Sequence, residues 1–144
     1  MQTASGSWLF WAVLSAVFAA MTAIFAKVGV DEINADFATL IRTAIILVVV
    51  LGIATATGQI QPLAEIPRKT WLFLLLSGLA TGASWLCYFR ALKLGQASRV
   101  APIDKLSVVL VALFGVLLLG ETLSPRHWAG IAMIASGAIL IARA

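Results

Sequence analysis

Residues 101–120 read APIDKLSVVLVALFGVLLLG, a run that is apolar apart from the adjacent charges Asp104 and Lys105. A helix of about 20 apolar residues is long enough to cross a bilayer. A charge inside such a helix costs at least about 2.5–3.5 kcal/mol, so these residues are rare, usually face protein or water, and mark function. The stretch therefore predicts a membrane span with a functional charged pair near its start.

The composition of the whole chain agrees with a membrane protein. Its 144 residues are 62% hydrophobic and 11% charged, whereas a soluble domain is about half apolar and a quarter charged. Lys and Arg exceed Asp and Glu by ten to six. The basic residues lie at the ends of apolar runs, where they meet lipid headgroups. The positive balance therefore does not indicate nucleic acid binding.

Five apolar runs predict an all-α, polytopic membrane protein, with residues 1–144 forming one compact domain. The second run reaches span length only if Arg42 is included, and the fifth depends on Arg143 extending to the headgroups. Short polar connections with Gly and Pro leave no room for a soluble domain. The predicted spans are 8–28, 35–57, 70–91, 100–120 and 127–143.

The reactive side chains indicate neither an enzyme nor a metal site. Cys87 and His127 are single representatives of their types, which excludes an intrachain disulfide and a His/Cys metal constellation. No nucleophile with a base, phosphate-binding loop or metal spacing is present. We expect no catalysis, no metal and no cofactor.

The second half of the chain contains several short motifs. They are WLCYFRALKLG at 85–95, VAP at 100–102, LGE at 119–121, WAG at 128–130, and Gly137. These motifs resemble an EamA-type domain of the drug/metabolite transporter superfamily. In that family a Tyr-x-x-Ala-Leu element ends one span and a Pro opens the next. That span closes in Leu-Gly-Glu, and a Trp-x-Gly element starts the last span.

The resemblance implies a multi-pass transporter of small solutes in the plasma (inner) membrane of a bacterium or archaeon, coupled to an ion or to protons. Most members carry two such domains in tandem, and this chain resembles the short five-span members with one. Transporters commonly bind their solute between two inverted repeats, so a homodimer with the path between two copies is expected. The alternative is a non-transporting accessory or structural subunit of a membrane complex, such as the partner of a lipid-carrier flippase.

The third span carries a polar strip that is a candidate substrate path. At 100° per residue its four members fall within about a 60° arc, and Trp85 borders them. Equally, the hydroxyls could bond their own i−4 carbonyls and hold helices together. A weaker strip on the first span contains Trp11 and Ser15, with the same two interpretations. The members on the third span are Ser77, Thr81, Ser84 and Tyr88.

Arg42, Asp104 and Lys105 are the candidate charge or coupling residues. Arg42 could extend to the headgroups, or face the interior and bind Asp104 or an anionic substrate group. If Pro102 is the first helical residue, Asp104 is a first-turn acid favoured by the helix dipole. If the helix starts near Ala97, Pro102 kinks it and Asp104 lies deep.

The positive-inside rule specifies the orientation weakly. Basic residues occur at both sides of the predicted spans, with a small excess on the side opposite the amino terminus. Such a distribution allows insertion in both orientations, and hence an antiparallel pair. Arg68, Lys69 and Arg126 fall on the amino-terminal side, and Lys27, Arg90, Lys93, Arg99 and Arg143 on the other.

Overall fold

The computed structural model describes residues 4–143, and within that range the chain is helical with no strand. This confirms the all-α prediction. A short 3-10 turn at Leu63–Glu65 lies in the longest connection. The helices are α1 Ala4–Val30, α2 Ala35–Ala56, α3 Arg68–Leu94, α4 Ala97–Asp104, α5 Ser107–Leu119 and α6 Pro125–Arg143.

Among residues 4–143, four stretches are long and apolar enough to cross a membrane, namely Trp8–Val30, Ala35–Ala56, Arg68–Leu94 and Ala97–Leu119. Their large side chains, such as Leu47 and Val48, are mostly exposed, as expected of helices that are apolar all round and surrounded by lipid. The 19-residue α6 is not among the four. A fifth span at 127–143 therefore stays a prediction.

The fourth span is interrupted next to its charged pair. Its helix starts at Ala97, and Pro102 lies inside α4. Pro lacks an N–H and its ring clashes with the carbonyl four residues earlier, and α4 ends shortly after it at Asp104. The backbone then tightens into i→i−3 bonds, such as Leu106 N to Ile103 O at 3.0 Å, before α5 begins. Of the two alternatives, the start near Ala97 is confirmed, and Asp104 is a last-turn residue rather than a first-turn acid.

The chain divides into two compact units. One comprises Met1–Phe25 with Gly95–Ala144, and the other is Ala26–Leu94. In the first unit α6 packs on α4 and α5. The buried positions Ala112 and Ala138 are small, which allows a close approach of helices. That residues 1–144 form a single domain stays a prediction.

In the second unit α2 packs against α3. Ala38 and Thr39 of α2 are buried, as are Phe89 and Leu92 of α3. The Thr39 hydroxyl donates to the carbonyl of Ala35 at 2.9 Å, so this polar group enters the interface already satisfied. Small residues on one helix thus accept large ones from the other.

An ion pair joins the start of α2 to the end of α3. Arg90 donates from Nε to Asp36 Oδ1 at 2.8 Å and from Nη2 to Asp36 Oδ2 at 2.7 Å. Asn34 caps α2 by accepting from the backbone of Asp36 at 2.8 Å and of Phe37 at 3.3 Å. The bidentate pair fixes an antiparallel register between the two helices.

Two lysines satisfy carbonyls at the same end of the unit. Lys27 donates to Leu92 O at 2.9 Å and pairs with Asp31 at 3.0 Å. Lys93 donates to Ile33 O. The last carbonyls of a helix have no partner within the helix, and Leu92 O is one of these. Side-chain donors therefore allow α3 to run on to Leu94, beyond the predicted end at residue 91.

The bidentate pair predicts a specific pattern of stability. Asp36→Asn and Arg90→Gln should each lower the thermal midpoint of the protein in neutral detergent. The double variant should lose no more than the worse single variant, because both remove the same interaction. The loss should shrink at high salt, since both side chains are about half exposed. Arg68→Gln, at the exposed start of α3, is the matched control. Additive losses in the double variant would contradict a shared pair.

Candidate functional site

Arg42 of α2 lies against two aromatic rings of α3. Its guanidinium carbon is 4.3 Å from the centre of the Trp85 ring and 5.4 Å from that of Phe89. Arg42 lies roughly 9 Å beyond Asp36 along α2, and Trp85 a similar distance before Arg90 on α3. The antiparallel register that Asp36 and Arg90 set therefore brings the cation onto the indole.

This contact is partly shielded from solvent. Arg42 and Trp85 are half-buried, and Phe89 is only 3% exposed. Tyr88, also half-buried, interacts electrostatically with the guanidinium. A cation over an aromatic face gains about 0.5–1 kcal/mol when exposed and about 2 kcal/mol or more when desolvated. The arrangement holds the guanidinium in one orientation inside a span.

Arg42 belongs to none of the ion pairs found among the described residues. Those pairs are Lys27 with Asp31, Arg90 with Asp36, and Lys105 with Asp104. The sequence places Arg42 in a charge set and Trp85 in a substrate strip. It predicts neither the contact between them nor the contact of Arg42 with Phe89. One signal for this contact is present in the sequence. Arg42 lies six residues after Asp36, and Trp85 lies five residues before Arg90. In antiparallel helices joined by Asp36 and Arg90, these two residues therefore lie at similar heights.

The hydroxyl strip of α3 lies on an open face. Ser77, Thr81 and Ser84 are all exposed. Thr81 donates to Ser77 O at 2.8 Å, the local bond expected if its role is structural. A side chain added at Gly78 or Gly82 would meet nothing within 4 Å. Part of the strip is thus satisfied within its own helix, and its role as a substrate path stays a prediction.

Trp11 and Ser15, the corresponding pair on α1, are also exposed. They lie in the first unit, near the amino-terminal end of a helix whose apolar side chains Phe10 and Phe18 are exposed as well. The structure gives Trp11 an edge-to-face contact with Phe10, with ring centres 5.4 Å apart. Their assignment to the substrate path stays a prediction.

Asp104 and Lys105 lie where the helix of the fourth span breaks. Lys105 Nζ is 3.3 Å from Asp104 Oδ2, and the side chains are 62% and 37% exposed. The carboxylate therefore has a local counter-ion and is not enclosed by the rest of its unit. Arg42 belongs to the second unit and Asp104 to the first. Contacts within one unit do not test a pair between them, so the pairing of Arg42 with Asp104 stays a prediction.

The polar end of the second unit contains a cavity of about 260 Å³. Its charges are already engaged, because Asp36 pairs with Arg90 and Lys93 bonds Ile33 O. The charged groups of this cavity are therefore less available to a ligand than the guanidinium of Arg42. None of the described ion pairs includes Arg42. The lining residues are Asn34, Ala35, Asp36, Arg90, Lys93 and Leu94.

Comparison with known proteins places the chain among transporters. It matches the EamA-like transporter family over residues 6–143. A protein of Sinorhizobium sp. named "Uncharacterized transporter in cobO 3'region" is 69% identical over 96% of this chain and 98% of its own length. No solved structure is significantly similar.

More distant relatives are named "Probable 4-amino-4-deoxy-L-arabinose-phosphoundecaprenol flippase subunit ArnE". The protein from Pectobacterium atrosepticum is 31% identical over 67% of this chain and 95% of its own. The protein from Proteus mirabilis is 28% identical over 68% and 96%. With four spans of sufficient length and a family match over nearly its whole length, the chain is a multi-pass membrane protein of the EamA-like transporter family.

Proposed function

We propose that the protein moves a small solute across the bacterial plasma membrane as a homodimer, with the path between two copies. The observation that carries the proposal is the exposed polar face of α3, which adjoins the stacked Arg42 and Trp85. Polar groups left unpaired in hydrocarbon are costly, so a second copy or a wet path should cover this face. The chain holds one family repeat over residues 6–143, and transporters commonly bind solute between two repeats.

In this proposal Ser77, Thr81, Ser84 and Tyr88 line the path with Trp85, and Trp11 and Ser15 extend it on α1. Asp104 and Lys105 form the coupling element. A carboxylate at a helix break, with one adjacent lysine as its counter-ion, is the feature of the fourth span that supports this role. Access would alternate by rocking of one copy against the other.

Transport by the purified protein is the direct test. A thermal-shift screen over metabolites and cationic drugs would select solutes that bind, and their flux would then be measured in vesicles containing only this protein. We expect uptake several-fold above protein-free vesicles, driven by an ion or proton gradient. Binding solutes that show no flux under any gradient would contradict the proposal.

The similarity to ArnE proteins favours one alternative of a different class. Those relatives are named as subunits of a flippase for a lipid-linked sugar, so this chain would be a subunit that needs a second, different chain. The homodimeric transporter and the flippase subunit differ in the chains that the active protein contains: two copies of this chain in the first, and this chain with a different one in the second. Flux that appears only after a second chain is co-purified would support the alternative and reject the homodimer.

A cysteine scan tests the path on α3. In a Cys87→Ser background, which removes an exposed thiol, single cysteines at 77, 81, 84 and 88 should react with a water-soluble thiol reagent. A solute found in the screen should protect them. Cysteines at 75, 79 and 86, on other sides of the helix, are matched controls and should not react. Equal labelling on all sides, or none at the four polar positions, would remove the case for this path.

The weak charge bias predicts an antiparallel homodimer. Reporter fusions at the carboxyl terminus should show both cytoplasmic and external locations in wild-type protein. Adding two lysines at either end should fix a single orientation, because positive flanks stay on the cytoplasmic side. A strictly single orientation in the wild type would contradict the antiparallel pair.

A further inference from the structure

We propose that Arg42, with Trp85 and Phe89, is a binding site for an oxyanion, so that the solute carries a phosphate or carboxylate group. As a statement about the transported solute, this inference rests on the proposed function. The binding site itself does not, because it is defined by contacts within the second unit.

The first support is the state of the Arg42 donors. A guanidinium has five N–H donors around its edge and a flat apolar face. In the described part of the chain, Arg42 contacts ring faces at 4.3 and 5.4 Å and interacts electrostatically with Tyr88. It belongs to none of the ion pairs found there. The rings occupy its face and leave its edge for an acceptor.

The second support is the difference between Arg42 and the basic residues at the polar end of the same unit. Arg90 is held by Asp36, Lys27 by Asp31 and Leu92 O, and Lys93 by Ile33 O. Those cations stabilise the helix ends. Of these four, Arg42 lies furthest from an end of its helix, and the described carboxylates of its unit form no ion pair with it.

The third support is preorganisation. Stacking on Trp85 fixes the plane of the guanidinium, so less side-chain freedom is lost when its two-pronged edge meets two oxygens of one carboxylate or phosphate. Partial burial among Trp85 and Phe89 strengthens that contact, since charge-assisted bonds gain in a low-dielectric setting. The same rings offer an apolar wall to the rest of the ligand.

Two sources can supply the oxyanion: a soluble solute and the phosphate of a lipid headgroup. Binding would be measured as the rise in thermal midpoint of the full-length protein in neutral detergent. One arm titrates inorganic phosphate at constant ionic strength. The other titrates phosphatidylglycerol in mixed micelles against diacylglycerol, which lacks the phosphate. The proteins are wild type, Arg42→Gln, Arg42→Lys, and Arg68→Gln as the matched control.

We expect the wild type to respond in at least one arm. A response to phosphate assigns a soluble oxyanion, and a response to phosphatidylglycerol alone assigns a lipid headgroup. Arg42→Gln should weaken apparent affinity at least about tenfold, the scale expected for lost bonds to a charged group. Arg42→Lys should bind with intermediate affinity, because lysine keeps the charge but lacks the paired N–H donors that bind two oxygens at once. Arg68→Gln should bind like the wild type.

Three outcomes would overturn the inference: no response in either arm, an Arg42→Gln affinity equal to that of the wild type, or an Arg42→Lys affinity equal to it. If Arg42→Gln fails to fold, the affinity of Arg42→Lys still tests the inference. Anion binding that appears only in the Asp104→Asn variant would also overturn the inference, since Asp104 would then occupy the N–H donors of Arg42 in the wild type. Anion binding without flux would refute transport and keep the site. Flux restricted to solutes without an oxyanion would keep transport and refute the assignment of the oxyanion to the solute.

Discussion

The pair between Asp36 and Arg90 is the interaction on which the second unit depends. Two donors of one guanidinium meet both oxygens of one carboxylate, and this geometry permits a single register between α2 and α3. Once that register is set, Arg42 meets Trp85 and Phe89 rather than another residue of α3. An exposed ion pair contributes little to stability by itself. Its consequence here is positional, because it decides which side chains inside the span face each other.

The bilayer imposes the second constraint, which is that helix ends and intramembrane charges need partners. Lys27 and Lys93 satisfy carbonyls at the polar end of the second unit. In the first unit, α5 ends at Gly120, whose φ of +68° is a left-handed conformation that suits glycine. Glu121 N then bonds Gly115 O at 3.0 Å. The Leu-Gly-Glu segment of the sequence is therefore a helix terminator with a physical reason for its glycine.

The helices themselves could be predicted from the sequence, because long apolar runs of span length admit few other structures. Contacts between helices could not. The interruption at Asp104 follows from Pro102 only once the start at Ala97 is known, and apolar periodicity around residues 97–100 does not specify that start. Likewise, the contact of Arg42 with Trp85 depends on the register between α2 and α3. The periodicity of either helix alone does not specify that register. The fifth span remained ambiguous for a compositional reason, since α6 is short and contains Arg126, His127 and Arg143.

The proposed path between two copies makes the number of copies per path the quantity to measure. The most direct measurement reconstitutes protein with a fluorescent carboxyl-terminal tag so dilutely that most vesicles hold one copy or none. Copies are then counted by stepwise photobleaching in the same vesicles whose solute uptake is recorded, using the solute found by thermal shift. We predict that vesicles with one copy take up no solute and that uptake first appears in vesicles with two. Uptake by single-copy vesicles at the rate of the others would contradict a path formed between two copies.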